Sequence, residues 1–407
     1  MTRISFLMPT FNRAHYVAQS IRSVAAQMAP EDELIVINDG STDETSTVLA
    51  ALDERFTILN QENAGKSTAL NRAMDQATGE FIWVCDDDDL LCEGAVEKLL
   101  SLLGDTNVGW AFGRYTRFSE IDGVTRDLGP AHWPDLSEGS VLRHVLEDAF
   151  MMQHGALVRR SVYDQVGPFD GSMLRSLDYE MFVRIALAAR AAHTSDLIFQ
   201  QRKHPGARGP ASMLHAAGKS ESVWKEWDRR IFERLRSQLG AGFYASLFRC
   251  ENADIARRAG LLQRATIMAR HDLWSEALED WETAATISNE PLHPLEQDIC
   301  KRAMAGRHGF DGALSEPTMA RLKALRHSSS VARGITDALM DGLIWRLRDE
   351  EVETRALARE LINALEGPLG VPRLLARRAQ SKIAKSAPKI ALEENPTPPS
   401  WIAPLPG

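Results

Sequence analysis

The sequence predicts an α/β domain built on a doubly wound, mostly parallel sheet, followed by an all-helical domain. Three observations carry that expectation. Short apolar runs of strand length alternate with segments whose apolar residues recur at helical spacing as far as Leu91. The fourth such run, Phe81-Ile82-Trp83-Val84, is followed by four consecutive aspartates, Asp86 to Asp89, so an acidic cluster is anchored to a strand too apolar to lie at the surface. From about residue 216 the strand pattern stops and only helical spacing continues.

Taken in order, Ile4 to Met8 reads as a buried strand ended by Pro9, with Thr10-Phe11-Asn12-Arg13 as the following loop. Ala14 to Gln27 carries Val17, Ile21, Val24 and Ala25 at helical spacing. Leu34-Ile35-Val36-Ile37 is a second strand, closing in Asn38-Asp39-Gly40-Ser41-Thr42-Asp43, whose Ser and Thr can cap a helix running through Leu52. Phe56 to Leu59 is a third strand, Asn63-Ala64-Gly65-Lys66 a turn, Ser67 to Ala77 a helix and Phe81 to Val84 the fourth strand. This β-α-β-α-β-α-β order calls for a parallel sheet covered on both faces.

At 407 residues, 44% hydrophobic and 25% charged, the chain has room for two or three globular domains. A net charge of −9 argues against nucleic-acid binding, because phosphate backbones are held by clustered Lys and Arg. No stretch has the uncharged apolar length that spans a bilayer, and Met1-Thr2-Arg3 runs straight into Ile4 without a secretory segment, so a cytoplasmic location is expected. Cys85, Cys92, Cys250 and Cys300 lack zinc or disulfide spacing and read as free thiols.

Four adjoining carboxylates at a strand end suit a hard cation such as Mg2+ or Mn2+, which takes oxygen ligands and keeps substrate phosphates in its shell. In an open α/β sheet, ligands bind beyond the carboxyl ends of the strands, where Asp39 also lies. Neither a G-x-G-x-x-G turn after the first strand nor a G-x-x-x-x-G-K-[ST] loop is present, which weighs against dinucleotide oxidoreductases and P-loop hydrolases. Asp39 in Asn-Asp-Gly also suits a turn, and Lys66 is equally readable as a solvated lysine or a donor contact.

Pro9-Thr10-Phe11-Asn12-Arg13, Asn38-Asp39-Gly40-Ser41, Asn63-Ala64-Gly65-Lys66 with Ala69-Leu70-Asn71, Gly79-Glu80 and the Asp86-x-Asp88-Asp89 box together resemble the ordered signature of family 2 inverting glycosyltransferases. The resemblance covers roughly the first half of the chain. It implies a GT-A fold, Rossmann-like, binding a nucleoside-diphosphate sugar. It places Pro9, Thr10, Asn12, Arg13, Asn63 and Lys66 around the nucleotide and donor, Asp39 on base or ribose, Asp86 on ribose or sugar, and Asp88 on Mn2+ or Mg2+; Asp87 is expected on the donor side without an assigned contact. Leu177-Asp178-Tyr179-Glu180 resembles the segment in which an acid at a helix start is the catalytic base, so Asp178 takes that role. Members often carry Glu-Asp there; here Leu177 precedes, leaving a supporting acid absent or supplied by Glu180. Arg202-Lys203-His204-Pro205-Gly206 resembles the basic loop ending in a histidine that contacts metal or phosphate, and the glycines that follow suit a closing loop. Arg202 and Asp89 are expected to support this end of the site.

Gly109 to Tyr115 and Ala156 to Arg160 read as further strands, and the long polar stretch from the 120s to Ser140 as an acceptor-binding loop. The expected domains are 1–215, the α/β domain; 216–370, helical; and 371–407, a basic segment with a proline-rich tail. Trp274 to Ala285 faintly resembles half of a tetratricopeptide repeat, but no sustained period follows. Val371 to Lys389 holds six Lys or Arg and no acid, which suits either a solvated basic helix or contact with an anionic membrane near a lipid-linked acceptor.

The reading is a metal-dependent inverting transferase that moves a sugar from a nucleoside diphosphate, UDP by expectation, to a hydroxyl of a glycan, glycolipid or protein-linked acceptor. Two rivals are a sugar-phosphate nucleotidyltransferase and a non-catalytic glycan- or protein-binding module on the same scaffold.

Overall fold

A computed structural model of the chain describes residues 3–52, 55–121, 123–204, 220–380 and 390–399. Its N-terminal sheet has nine strands: β1 (Ile4–Thr10), β2 (Glu33–Asp39), β3 (Thr57–Gln61), β4 (Phe81–Val84), β5 (Leu90–Leu91), β6 (Trp110–Ile121), β7 (Val124–Pro130), β8 (Ala156–Arg159) and β9 (Ala191–Arg202). The order is β3-β2-β1-β4-β8-β6-β9-β5, with β7 paired to β6 outside that path. Helices in this part of the chain are α1 (Val17–Ala25), α2 (Thr45–Ala50), α3 (Lys66–Gln76), α4 (Ala95–Leu102), α5 (Val141–Glu147), α6 (Arg160–Val166) and α7 (Leu177–Ala188).

The first half of the sheet is parallel, as the alternation requires: β1 pairs β2 and β4, and β2 pairs β3. Every residue of β1 is buried, the pattern of a strand covered on both faces. Ile4, Phe6, Met8, Val36, Trp83, Ala111 and Leu157 share one core, in which Phe6 and Trp83 stack at 5.6 Å. The second half is mixed rather than parallel, because β8 runs antiparallel to both β4 and β6, and β5 antiparallel to β9.

Two boundaries differ from the sequence expectation for physical reasons. Pro9 lies inside β1, opposite Ile37, and not after it. The Leu7 carbonyl accepts from Cys85 on the β4 side at 2.8 Å, so Pro9, with the same orientation, turns its missing N–H to the side where β4 has ended. Part of the stretch read as an acceptor loop is β7, the second arm of a hairpin with β6. Nearly all of its residues are exposed, so it has no apolar alternation to announce it.

The chain divides into two compact units, one of Met1–Asp135, Ala149–Trp227 and Pro398–Gly407, the other of Leu136–Asp148 and Asp228–Thr397. The second is largely helical, with the part of Ser220–Gln238 from Asp228 onward leading into Ala253–Arg270, Trp274–Ile287, Pro294–Arg302, Glu316–Ser328, Ser330–Gly342, Val352–Glu366 and Gly370–Gln380. Ala391–Leu392 pairs antiparallel with Phe248–Arg249. Residues 381–389 of the basic stretch lie outside the described residues. Among the described residues, no helix is long and apolar enough to cross a membrane.

Buried charge pairs hold the helical unit. Arg258 and Glu296, both almost fully buried, make two contacts of 2.8 and 2.7 Å. Glu147, at the end of α5, accepts from Gln263 at 2.7 Å and from Arg302 at 3.0 Å, with Arg143 at 3.6 Å. Burial pushes the Glu147 carboxyl up, but Arg302, Arg143 and Arg270 outweigh it and hold the group well below its ordinary value of 4.5. A depressed folded value means that this stability is present above about pH 4.5 and is lost as the pH falls toward the folded value. Glu147→Gln is therefore expected to lose on the order of 3 kcal/mol at pH 7 in urea unfolding, with the gap to wild type narrowing below about pH 4. A gap that does not change with pH would contradict this assignment.

Candidate active site

The site forms where β1, β2 and β4 end together. Asn12, after β1, has φ of 53°, in the left-handed region that Asn tolerates. Its Oδ1 accepts from the Thr42 and Asp43 backbone N–H groups at 2.8 and 3.3 Å, and its own N–H donates to Ser41 Oγ at 3.0 Å. Asn12 therefore ties the loop after β1 to the loop after β2. Arg13 donates its backbone N–H to Thr45 Oγ1 at 2.8 Å and sets its Nε 3.6 Å from Asp87 and 3.7 Å from Asp88. Pro9 and Thr10 are the buried last residues of β1.

Asp39, the last residue of β2, is 4% exposed and has four donors on its carboxylate. Oδ1 accepts from Gln61 at 2.7 Å and Ala64 N at 2.9 Å; Oδ2 accepts from Gly65 N at 2.9 Å and Asn63 Nδ2 at 3.3 Å. Its acceptor capacity is thereby taken up in holding the Asn63-Ala64-Gly65 turn. Gly40 follows at φ +73°, and a Cβ there would meet Asn63 N at 2.6 Å, so only glycine admits this close approach of the two loops.

The turn delivers Lys66, whose Nζ lies 2.6 Å from Asp86. Withdrawal from water disfavours the ammonium, but Asp86, Asp178 and Asp87 outweigh that effect and raise its pKa. Lys66 thus feels acids from two separate segments, the end of β4 and the start of α7. Asp178 stands in the first turn of α7, with Oδ1 accepting from Tyr179 N at 3.0 Å. The loop before it is held to α3 by Asn71, which both donates to and accepts from the Phe169 backbone, at 2.9 and 2.8 Å.

Neighbouring Glu180 is fully buried, and both its oxygens accept from Arg184 at 2.7 Å. Arg184 in turn donates to the carbonyls of Val166 at 2.6 Å and Pro168 at 3.0 Å. The Glu180 carboxylate is thus committed to the loop entering α7, and Leu177 is a buried apolar residue.

At the far end, His204 Nε2 lies 3.0 Å from Asp88 Oδ2, and the ring packs on Tyr16 at 5.0 Å. Burial raises the Asp88 carboxyl, but His204 and Arg13 outweigh it and leave the group below its ordinary range. Asp89 accepts the Arg202 backbone N–H at 2.8 Å. The Arg202 guanidinium donates to the Asp88 carbonyl at 2.9 Å, to Gln19 at 2.6 Å and to Glu120, and lies over Phe118 at 4.6 Å and Tyr16 at 5.0 Å. Arg202 is thus a buried clamp on the aspartate loop. The rest of the basic loop, 205–219, lies outside the described residues.

His154 was not legible from sequence, since nothing marks it locally. It sits just before β8, fully buried, with its carbonyl accepting from Trp83 Nε1 and its Nδ1 accepting from the Asp86 backbone N–H, both at 2.9 Å. Burial lowers its pKa to about 4, so the ring is neutral. Asp86, Asp89 and His154 each bring one ligand-type atom to within 4.8 Å of the others. Clustered Asp and His groups of this kind can coordinate a divalent ion. His154 fits that role less well than His204, because its Nδ1 lone pair is already occupied and Nε2 then carries the proton. Asp88 and His204 meet at 3.0 Å, a hydrogen-bond distance, and the ring nitrogens of a histidine beside a carboxylate are ligand types that divalent ions accept.

The chain is 28% identical over 171 residues to glycosyltransferase GlyA of Streptococcus pneumoniae, covering 41% of this chain and 21% of that one. It is 31% identical over 252 residues to an uncharacterised glycosyltransferase of Rickettsia conorii, covering 61% and 42%. The S. aureus TarS 1–349 structure is similar with a TM-score of 0.47 at 16% identity, covering 83% of this chain and 90% of that one. The chain thus spans well under half the length of these two curated relatives. The glycosyl transferase family 2 model matches residues 5–167, from β1 through the strand-end aspartates to the loop before α7, so it is this N-terminal region that carries the likeness to glycosyl transferase family 2.

Proposed function

We propose that this chain is a metal-dependent inverting glycosyltransferase that moves a sugar from a nucleoside-diphosphate donor, UDP-linked by expectation, to a hydroxyl of a glycan or glycoconjugate. One observation carries the reading: Lys66 is drawn at once to Asp86 and Asp87 at the end of β4 and to Asp178 at the start of α7. That pull, together with the 2.6 Å contact of Lys66 with Asp86, supports reading the donor-side acids and the candidate base as one site.

In this reading Asp178 takes the proton from the acceptor hydroxyl as that oxygen bonds to the anomeric carbon and the bond to the diphosphate breaks on the opposite face. Lys66 keeps its ammonium on Asp86 at 2.6 Å, with the charge of Asp178 also favouring the cation. Arg13 lies against Asp87 and Asp88 and is placed to meet diphosphate oxygens. A divalent ion held by Asp88 and His204 would supply Lewis-acid stabilisation of the leaving diphosphate. Asp39 acts through the turn it holds, and a direct contact with base or ribose requires Gln61 or Asn63 to release it.

The deciding experiment screens UDP-, GDP- and TDP-sugars with Mn2+ for transfer, for donor hydrolysis and for thermal stabilisation. One nucleotide class is expected to stabilise the wild type only with metal, and Asp88→Ala to lose that stabilisation. If no nucleotide stabilises or reacts with any metal, the transferase reading fails and a binding module on this scaffold takes its place. Asp178→Asn is expected to lower kcat by about 10² to 10⁴ while donor-dependent stabilisation persists. Loss of donor binding with unchanged residual kcat would remove Asp178 from the base role. Asp39→Asn is expected to cost about 1–3 kcal/mol in unfolding without any donor, because an amide cannot accept from all four donors. An unchanged unfolding midpoint would return Asp39 to a purely nucleotide-binding role.

A further inference from the structure

A second convergence of ligand-type side chains lies within the helical unit. Asp228 on helix Ser220–Gln238, His271 just after helix Ala253–Arg270, and His308 in the turn closed by Gly309 N–H to Gly306 O at 3.2 Å each bring one such atom to within 4.8 Å of the others. Asp228 is fully buried and His271 is 2% exposed. Asp228 Oδ2 lies 2.7 Å from His308 Nε2 and 3.2 Å from Arg307. The other oxygen, Oδ1, is buried and has no hydrogen-bond partner among the described residues. A carboxylate oxygen withdrawn from water in that state is costly unless something cationic meets it.

His271 is oriented for that task. Its Nε2 lies 3.2 Å from the Leu146 carbonyl, which can only accept, so Nε2 carries the ring proton and Nδ1 presents a lone pair. The ring lies flat on Phe232, with centroids 3.6 Å apart and planes 5° from parallel. A histidine whose second nitrogen donates to a backbone carbonyl is set up as metal ligands usually are.

We propose that Asp228, His271 and His308 form a second metal site, for a borderline divalent ion of the Zn2+ class, which pins helix Ser220–Gln238 to the end of Ala253–Arg270 and to the Gly306–Gly309 turn. Two imidazole nitrogens and one carboxylate select Zn2+ or Co2+ over Mg2+ or Ca2+, and three protein ligands leave one position open. On binding, His308 moves its ring proton from Nε2 to Nδ1, so that Nε2 offers a lone pair to the ion, and the unpartnered Asp228 Oδ1 meets the same ion. Arg307, one-third exposed, keeps a second acid at Asp148, 4.0 Å away. The site differs in ligand chemistry from the carboxylate-rich strand ends, and it stands independently of the donor chemistry proposed above.

The test uses the full chain carrying Asp88→Ala and His204→Ala, which silences the expected ligands at the strand ends. The protein is stripped with chelator, reloaded with Zn2+ or Co2+ and desalted. The expected result is one retained equivalent by elemental analysis, a visible Co2+ spectrum of low-symmetry nitrogen and oxygen ligation, and a Tm raised by several degrees. Adding Asp228→Asn, or His308→Gln where the first fails to fold, is expected to weaken retention at least tenfold. No retained metal in the parent, or equal retention in parent and variant, overturns the proposal and leaves the cluster as a hydrogen-bonded ion pair.

Discussion

Four neighbouring carboxylates at the end of a buried strand set the charge problem that the N-terminal unit resolves. Two unit charges about 4 Å apart repel by roughly 4 kcal/mol at an effective dielectric of 20, and this loop places Asp86 to Asp89 side by side. Compensation comes from four directions. Lys66 arrives at the start of α3, Arg13 from the loop after β1, His204 from beyond β9, and a backbone N–H from Arg202 at the end of β9. None of these groups is adjacent to the aspartates in sequence, so the loop is neutralised only when β1, β4 and β9 occupy their places in the sheet. Compensation is uneven, too. Burial and Asp88 lift the Asp87 carboxyl to about 7 despite Arg13, while Asp88 stays low.

The same arithmetic explains why several conspicuous polar residues face inward. Asp39 holds the turn that presents Lys66, Asn12 laces the first loop to the second, and Arg202 locks the aspartate backbone against Gln19, Glu120 and two aromatic faces. Side chains held in this way keep their positions through contacts within the protein, which lowers the entropic cost of binding a ligand at such a strand end. Asp178 gains its place indirectly. The Asn71 clasp on Phe169 and the Glu180–Arg184 pair on the carbonyls of Val166 and Pro168 fix the segment that leads into α7.

Much of this was legible in the sequence because period and composition carry it. The parallel half of the sheet followed from β-branched and aromatic runs alternating with helical spacing, and the expected strand Phe81 to Val84 coincides with β4. What period does not encode was not legible. Nothing in Ala156-Leu157-Val158 says that β8 runs antiparallel between β4 and β6, and the exposed β7 has no apolar face to betray it. His154 is silent for a related reason: its role is a backbone hydrogen bond to Asp86, 68 residues away, and that pairing leaves no local mark.

The helical unit sharpens the point. Its helices were visible from their apolar faces, yet the contacts that specify their packing are between charges that sequence habit assigns to the surface. Arg258 and Glu296 are 38 residues apart, Glu147 and Arg302 are 155 apart, and all but Arg302 are nearly or fully buried. A buried ion pair adds little net stability over a well-packed apolar pair, but losing one partner strands the other at a cost of several kcal/mol. Such pairs therefore act on the alternatives more than on the native state, since any misregistered packing of these helices leaves a charge without its partner. Segment 136–148 shows the consequence: Glu147 and Asp148 meet Arg302, Arg270 and Gln263, and those charge contacts accompany its place in the helical unit although the chain around it belongs to the sheet.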